Sequence, residues 1–190
     1  MQNWGFMKRQ AVVLFYILSS IVLNLNVYPQ EVIEIKQDDP APTFFLRTIE
    51  GKNFFLSKEI KPDSLIILAF YATWCVPCRQ EIPALEKMMI DPTLNTARLY
   101  YVNVGGLMAD DENGDVVMQR EQVDNVLRHK ERFNITHPIL MDRYAVTAQK
   151  FGAESLPTIV VIGGDGKIKY SHHGYLPGDE EMLLKLLLSL

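Results

Sequence analysis

Cysteine is nearly absent from this sequence: its 190 residues hold two, Cys75 and Cys78, both inside Trp74-Cys75-Val76-Pro77-Cys78. A pair so placed excludes a disulfide-dense scaffold. It is also a poor staple, because stabilisation by a cross-link grows with the loop it closes. Histidine is scarce as well, at four residues. His129 and His137 stand eight positions apart, and His172-His173 are neighbours that strand alternation sends to opposite faces, so the second half of a zinc site is missing. Haem attachment would need histidine after Cys78, where the sequence has Arg79. A copper-delivery site would need three residues between the cysteines, and only two are there. Clustered positive charge is lacking too: 19 Lys and Arg against 23 Asp and Glu give a net charge of -4, which excludes a nucleic-acid surface. The acidic stretch Ala109 to Asp115 lacks the Asp-x-Asp-x-Asp-Gly pattern with a later Glu, so it reads as a solvated turn at Asn113-Gly114 and not as a calcium loop. There are no internal repeats and no low-complexity segment.

What is present begins with a leader. Lys8 and Arg9 precede an apolar run from Ala11 to Leu23, of signal-peptide length and short for a bilayer span of roughly 20 residues. Residues 1–27 are therefore expected to be a signal peptide or, since no small-x-small cleavage pattern follows in Asn24 to Gln30, a retained N-terminal membrane anchor. Residues 28–39 read as a polar linker and 40–190 as one domain. Export places the cysteines where disulfides form and persist, in the periplasm or at the extracytoplasmic face of the membrane.

Within the domain, the apolar run Leu65 to Tyr71 reads as a strand buried on both faces. Two short runs around Glu50-Gly51-Lys52 predict an N-terminal hairpin. Arg79 to Ile90 carries Ile82, Leu85, Met88 and Met89 at helical spacing, with a kink expected at Pro83. Ala97 to Val104 is a second central strand, Val116 to Phe133 a helix, Pro138 to Asp142 a short edge element, and Tyr144 to Phe151 a short helix ended by Gly152. Pro157 to Ile162 and Lys167 to Tyr170 form a hairpin, followed by a helix from Glu180 to Leu188 that Asp179 is expected to cap. The alternation predicts an α/β fold, a mixed sheet of about five strands with helices on both faces. The cysteines fall at the start of a helix directly after the buried strand, where helix N-terminal amides favour a thiolate on the first of them. That is the pattern of a dithiol that cycles with its disulfide.

The string Phe70-Tyr71-Ala72-Thr73-Trp74-Cys75-Val76-Pro77-Cys78-Arg79-Gln80-Glu81-Ile82-Pro83-Ala84-Leu85 resembles the exported thioredoxin-like proteins of the TlpA/ResA type. Ala41-Pro42-Thr43-Phe44, Leu156-Pro157-Thr158 and Asp165-Gly166-Lys167-Ile168 match in order, so the likeness spans Pro40 to Leu188. It implies a thioredoxin-like fold and a thiol-disulfide oxidoreductase without a bound cofactor other than its own disulfide. It further implies that Cys75 is the exposed nucleophile and Cys78 the resolving thiol, that Pro157 is a cis-proline, and that the backbone of Leu156 pairs with substrate. The buried Asp that thioredoxin carries on the strand is Ala69 here, and Glu81 matches the acidic residue of the ResA type, able to exchange a proton with Cys78. Trp74 is expected to shield the disulfide and Pro77 to stiffen the turn. Val76-Pro77 offers no cation to stabilise a thiolate, which favours a reductant. The implied partners are exported clients such as apo-cytochrome c and a membrane thiol donor. A peroxiredoxin would instead need a threonine before a lone cysteine. The rival reading is a non-enzymatic exported binding or scaffold domain with a passive disulfide.

Overall fold

The computed structural model describes residues 35–110 and 113–190, with Asp110 described by its backbone alone; the expected leader and the first part of the linker lie outside the described residues. Nine strands are described: β1 Phe45–Thr48, β2 Asn53–Phe55, β3 Leu65–Tyr71, β4 Ala97–Val104, β5 Met108–Asp110, β6 Val116–Met118, β7 Ile139–Asp142, β8 Thr158–Ile162 and β9 Ile168–His173. The helices are α1 Leu56–Glu59, α2 Cys78–Met88, α3 Val123–Arg132, α4 Val146–Lys150 and α5 Asp179–Leu187. No helix among the described residues is long and apolar enough to cross a membrane.

The strand that the apolar run predicted sits at the centre. β3 pairs parallel with β4 and antiparallel with β8, in a sheet ordered β2-β1-β7-β4-β3-β8-β9. Because side chains alternate along a strand, β3 feeds two separate cores. Ile67, Ala69 and Tyr71 join Cys75, Cys78, Ile82 and Leu85 on one face, with Leu183 and Leu187 of α5. Ile66, Leu68 and Phe70 meet Phe44, Phe54 and Phe151 on the other. Helices cover both faces, and the ring of Phe151 lies 5.8 Å edge-on from Phe44 and 5.7 Å from Phe70.

The sheet has seven strands where about five were expected. The N-terminal hairpin does not merely cover the sheet: β1 pairs antiparallel with β7, Arg47 opposite Met141 and Thr48 opposite Leu140. The Ile49 N–H extends the contact, donating to the Ile139 carbonyl at 2.8 Å. The Pro138 to Asp142 segment is therefore an interior strand, buried at all four positions of β7, and not an edge.

Two further expectations change. The predicted Val116 to Phe133 helix begins only at Val123; Val116–Met118 instead pairs with Met108–Asp110, since β-branched residues beyond an Asn-Gly turn suit a hairpin. Asp179 is not the cap of α5. Gly178, at φ 106, holds that position, while the Asp179 carboxylate accepts from the Leu176 N–H at 2.7 Å. α2 runs from Cys78 to Met88 with Pro83 inside it, and Ile82 and Leu85 on either side of the proline are buried.

Phe151 bridges α4 to the second core, so Phe151→Ala should cost about 3–5 kcal/mol in a denaturant titration of the oxidised protein, read as a lower midpoint at unchanged slope. A loss below about 1 kcal/mol would show that this core repacks freely.

Candidate active site

β3 ends at Tyr71, and the chain turns through Thr73 to Pro77 before α2 starts at Cys78. The turn brings the two cysteine Cα atoms to 5.4 Å, and they are joined in a disulfide. The Cys78 N–H, the first of the helix, donates to Cys75 Sγ at 3.2 Å. An amide aimed at sulfur, together with the positive end of the helix, stabilises a thiolate on Cys75. Both cysteines are buried, Cys75 at 4% exposure and Cys78 at 0%, so the exposure expected of Cys75 is not seen in the oxidised form. The physical reason is the bond itself, which turns Cys75 Sγ inward toward Cys78 and its amide. What faces solvent is Val76, at 63%, beside exposed Pro77. Pro77, at φ -62, stands one residue before the helix in a conformation that its ring already enforces. Trp74 is half-buried and packs against the core that holds both cysteines.

The Leu156-Pro157 peptide bond is cis. β8 runs antiparallel to β3 with Thr158 opposite Phe70, so Pro157 stands at the end of β3 from which the cysteine loop departs. The Pro157 carbonyl accepts from Gly174 N–H at 2.7 Å, and the Thr158 hydroxyl donates to the Ser155 carbonyl at 2.5 Å. These bonds fix the segment from both sides. The amide and carbonyl of half-buried Leu156 have no partner among the described residues, which leaves them open to an added strand.

Glu81 lies on α2 one turn beyond Cys78 and is 1% exposed, with Oε2 unpartnered among the described residues. Burial, and then the charge of Asp179, push its pKa up to about 8. A small cavity beside it is lined by Tyr170 and His172 of β9, Tyr175, and Asp179 of α5. Within it, His172 Nε2 sits 3.4 Å from Asp179 Oδ2. Ala69 is fully buried opposite Ile159 and brings no ionisable group to this core, so Glu81 is the carboxyl that the core holds.

One residue of the site was invisible in the sequence. Glu121, in the stretch between β6 and α3, accepts from the Thr73 N–H at 2.6 Å and from the Thr73 hydroxyl at 3.0 Å. From the opposite side Arg79 donates to the Thr73 carbonyl, Nε at 3.3 Å and one terminal nitrogen at 3.0 Å. Burial raises the Glu121 pKa against the pull of these bonds. The contact joins residues 48 apart, and no local pattern signals it. His137, which no metal reading supported, stands 3.1 Å from Glu86 Oε1. Among the described residues no three His, Cys, Asp or Glu side chains gather as a metal site.

Comparison with known proteins agrees with this geometry. The AhpC/TSA family profile matches residues 38–171. The thioredoxin-like protein YneN of Bacillus subtilis is 28% identical over 155 residues, 82% of each chain. The thiol-disulfide oxidoreductase ResA of Geobacillus thermodenitrificans is 28% identical over 163 residues, 84% of this chain and 83% of its own. Among solved structures, StoA from Bacillus subtilis superimposes with a TM-score of 0.57 at 20% identity, over 77% of this chain and 96% of that one. A DsbF homologue from Corynebacterium diphtheriae gives 0.62 at 18% identity, over 80% and 87%. These likenesses establish the thioredoxin-like fold.

Folding holds a proton on Glu81 that the unfolded chain, with a carboxyl near 4.5, gives up. The stability this contributes is complete below pH 4.5 and is lost as pH rises through about 8, at up to about 1.4 kcal/mol per pH unit. Denaturant unfolding of the oxidised protein from pH 5 to 8 should show wild type losing stability relative to Glu81→Gln. Parallel curves for the two would place the Glu81 carboxylate in water.

Proposed function

This chain belongs to the AhpC/TSA family and is a thiol-disulfide oxidoreductase, and on that premise we propose that it works outside the cytoplasm as a reductant of disulfides in exported client proteins. The single observation that carries the reading is the Cys75–Cys78 disulfide at the head of α2, with the open backbone of Leu156 ahead of cis Pro157 beside it. The extracytoplasmic placement rests on the leader pattern of residues 1–27, with periplasm or membrane face as the compartment.

In the reduced form the Cys75 thiolate attacks one sulfur of a client disulfide. A Cys75–client mixed disulfide forms, and the first client thiolate leaves and takes a proton from water. Cys78, as thiolate, then attacks Cys75 Sγ, the second client thiolate leaves, and the Cys75–Cys78 bond returns. Two electrons have passed to the client. A client strand added along Leu156 would present its disulfide to Cys75.

Glu81 supplies the proton balance. With a pKa about 8 in the oxidised form it is largely protonated at neutral pH. It therefore holds the proton that Cys78 requires when a membrane thiol donor, attacking Cys75, cleaves the disulfide. In the client-reducing direction the same carboxylate takes that proton back as Cys78 becomes the attacking thiolate.

The direction follows from what is missing around the sulfurs. Val76-Pro77 places no cation between the cysteines, and among the described residues it is the Cys78 N–H that reaches Cys75 Sγ. The reduced form is not stabilised as it is in strong oxidants. Disulfides of apo-cytochrome c and other exported proteins are the clients that fit a reductant in this compartment.

Residues 31–190 should accelerate dithiothreitol-driven insulin reduction. Cys75→Ser should abolish this, Cys78→Ser should accumulate mixed disulfides, and Glu81→Gln should lower the rate at least tenfold and flatten its pH profile above pH 7. Insulin reduction by Cys75→Ser at the wild-type rate would leave the passive scaffold as the better reading. A redox midpoint near -120 mV, the range of strong oxidants, would reverse the direction.

A further inference from the structure

The two residues that bracket the active-site pentapeptide, Thr73 and Arg79, also form one wall of a groove of about 350 Å³. Its other wall is a single face of α3, carrying Asn125, Arg128, His129 and Arg132 at helical spacing. The volume falls in the range of ligand sites. The chain as a whole carries a net charge of -4, yet this groove gathers three guanidinium groups and lies directly against the catalytic loop.

None of the three has a carboxylate partner among the described residues. Arg79 uses two of its five N–H donors on the Thr73 carbonyl. Arg128 reaches the neutral Asn125 side chain at 2.5 Å, and Arg132 lies 5.6 Å from the Phe133 ring. The acidic groups nearby form no ion pair with them among the described residues. Glu121 is occupied by the Thr73 N–H and hydroxyl, while Asp124 and Glu131 stand one helical turn from Arg128 on either side without closing on it. Arg128 and Arg132 are one helical turn apart, a like-charge spacing that weakens a helix.

A second observation points the same way. His129 on the groove floor is 7% exposed, tilted against the Phe133 ring at 4.5 Å, and both its ring nitrogens lack a partner among the described residues. Burial and the charges of Arg79 and Arg132 lower its pKa to about 4, so the histidine stays neutral and the positive field of the arginines is left for an outside anion. Planar guanidinium forks fit carboxylates two bonds at a time, and arginine clusters are a recurring means of reading acidic segments.

We propose that this groove docks an acidic segment of the client protein, holding its carboxylates on Arg79, Arg128 and Arg132 while the adjoining client disulfide meets Cys75. The inference rests on the reading that the chain exchanges disulfides with protein clients. It adds the feature by which clients are selected: glutamate or aspartate flanking the disulfide.

The test uses fluorescent cysteine-free peptides, one rich in glutamate and one with each glutamate replaced by glutamine, titrated into the oxidised protein. Wild type should bind the acidic peptide at least tenfold more tightly, with the difference shrinking as salt rises from 20 to 300 mM, as screening requires. The double variant Arg128→Gln/Arg132→Gln should lose that preference, and Lys130→Gln, whose amine faces Glu50 at 2.9 Å, should keep it. Equal binding of the two peptides by wild type, or an unchanged preference in the double variant, overturns the proposal. So does selective capture by phosphatidylglycerol vesicles without peptide binding, which would make the groove a membrane contact. Charge-selective binding in a protein that fails to reduce disulfide peptides would support the docking site and count against the reductase reading alone.

Discussion

β3 has no face turned to water, and the rest of the molecule follows from that constraint. Every side chain from Ile66 to Tyr71 is buried, so a parallel strand, an antiparallel strand and helices on both faces must all be supplied to it. Its alternation divides the interior into two cores, and Leu156 packs against both. Its end is where both the cysteine loop and the cis Leu156-Pro157 segment emerge, and a rigid strand there holds the reacting sulfurs and the open Leu156 backbone in one register.

The same burial governs the acid-base chemistry. A carboxyl in the core beneath the disulfide can be mounted on the strand or on the helix. Ala69 leaves the strand position empty of charge, and Glu81 supplies the group from α2. The helix mounting brings α5 and β9 into play, because Asp179 and the cavity bordered by His172 and Tyr175 now face the carboxyl. Desolvation sets the large part of its shifted affinity for protons, and Asp179 adds to it. The helix dipole and the Cys78 amide act instead on Cys75 Sγ.

Much of this was legible in the sequence because it is local. The buried run, the CxxC at a helix start, the terminal hairpin and the Glu81 spacing are properties of short windows, and the structure forms the strand, the helix start and the hairpin where those windows lie. The misses are non-local or depend on competition between local signals. Nothing in Phe45–Thr48 announces that it hydrogen-bonds to β7, which turned a supposed edge into an interior strand. Val116-Val117-Met118 carries apolar residues compatible with a helix, and the Asn113-Gly114 turn decided for a hairpin. Glu121 could not be found at all, since an isolated glutamate between a strand and a helix has no signature. Its role exists only because the fold carries it to Thr73.

The clamp on Thr73 has an architectural consequence. Its N–H, hydroxyl and carbonyl are taken by two side chains from different parts of the chain, one a neighbour on α2 and one borne by the segment that leads into α3. The reactive loop is thereby tied to the stretch between β4 and α3. That stretch and the loop are not separate modules that can be exchanged one at a time. A chimera that imports another protein's residues 105–122 inherits a loop with two open donors unless the imported stretch brings its own acceptor for Thr73, and a library that randomises only the residues around the cysteines samples them against a fixed anchor.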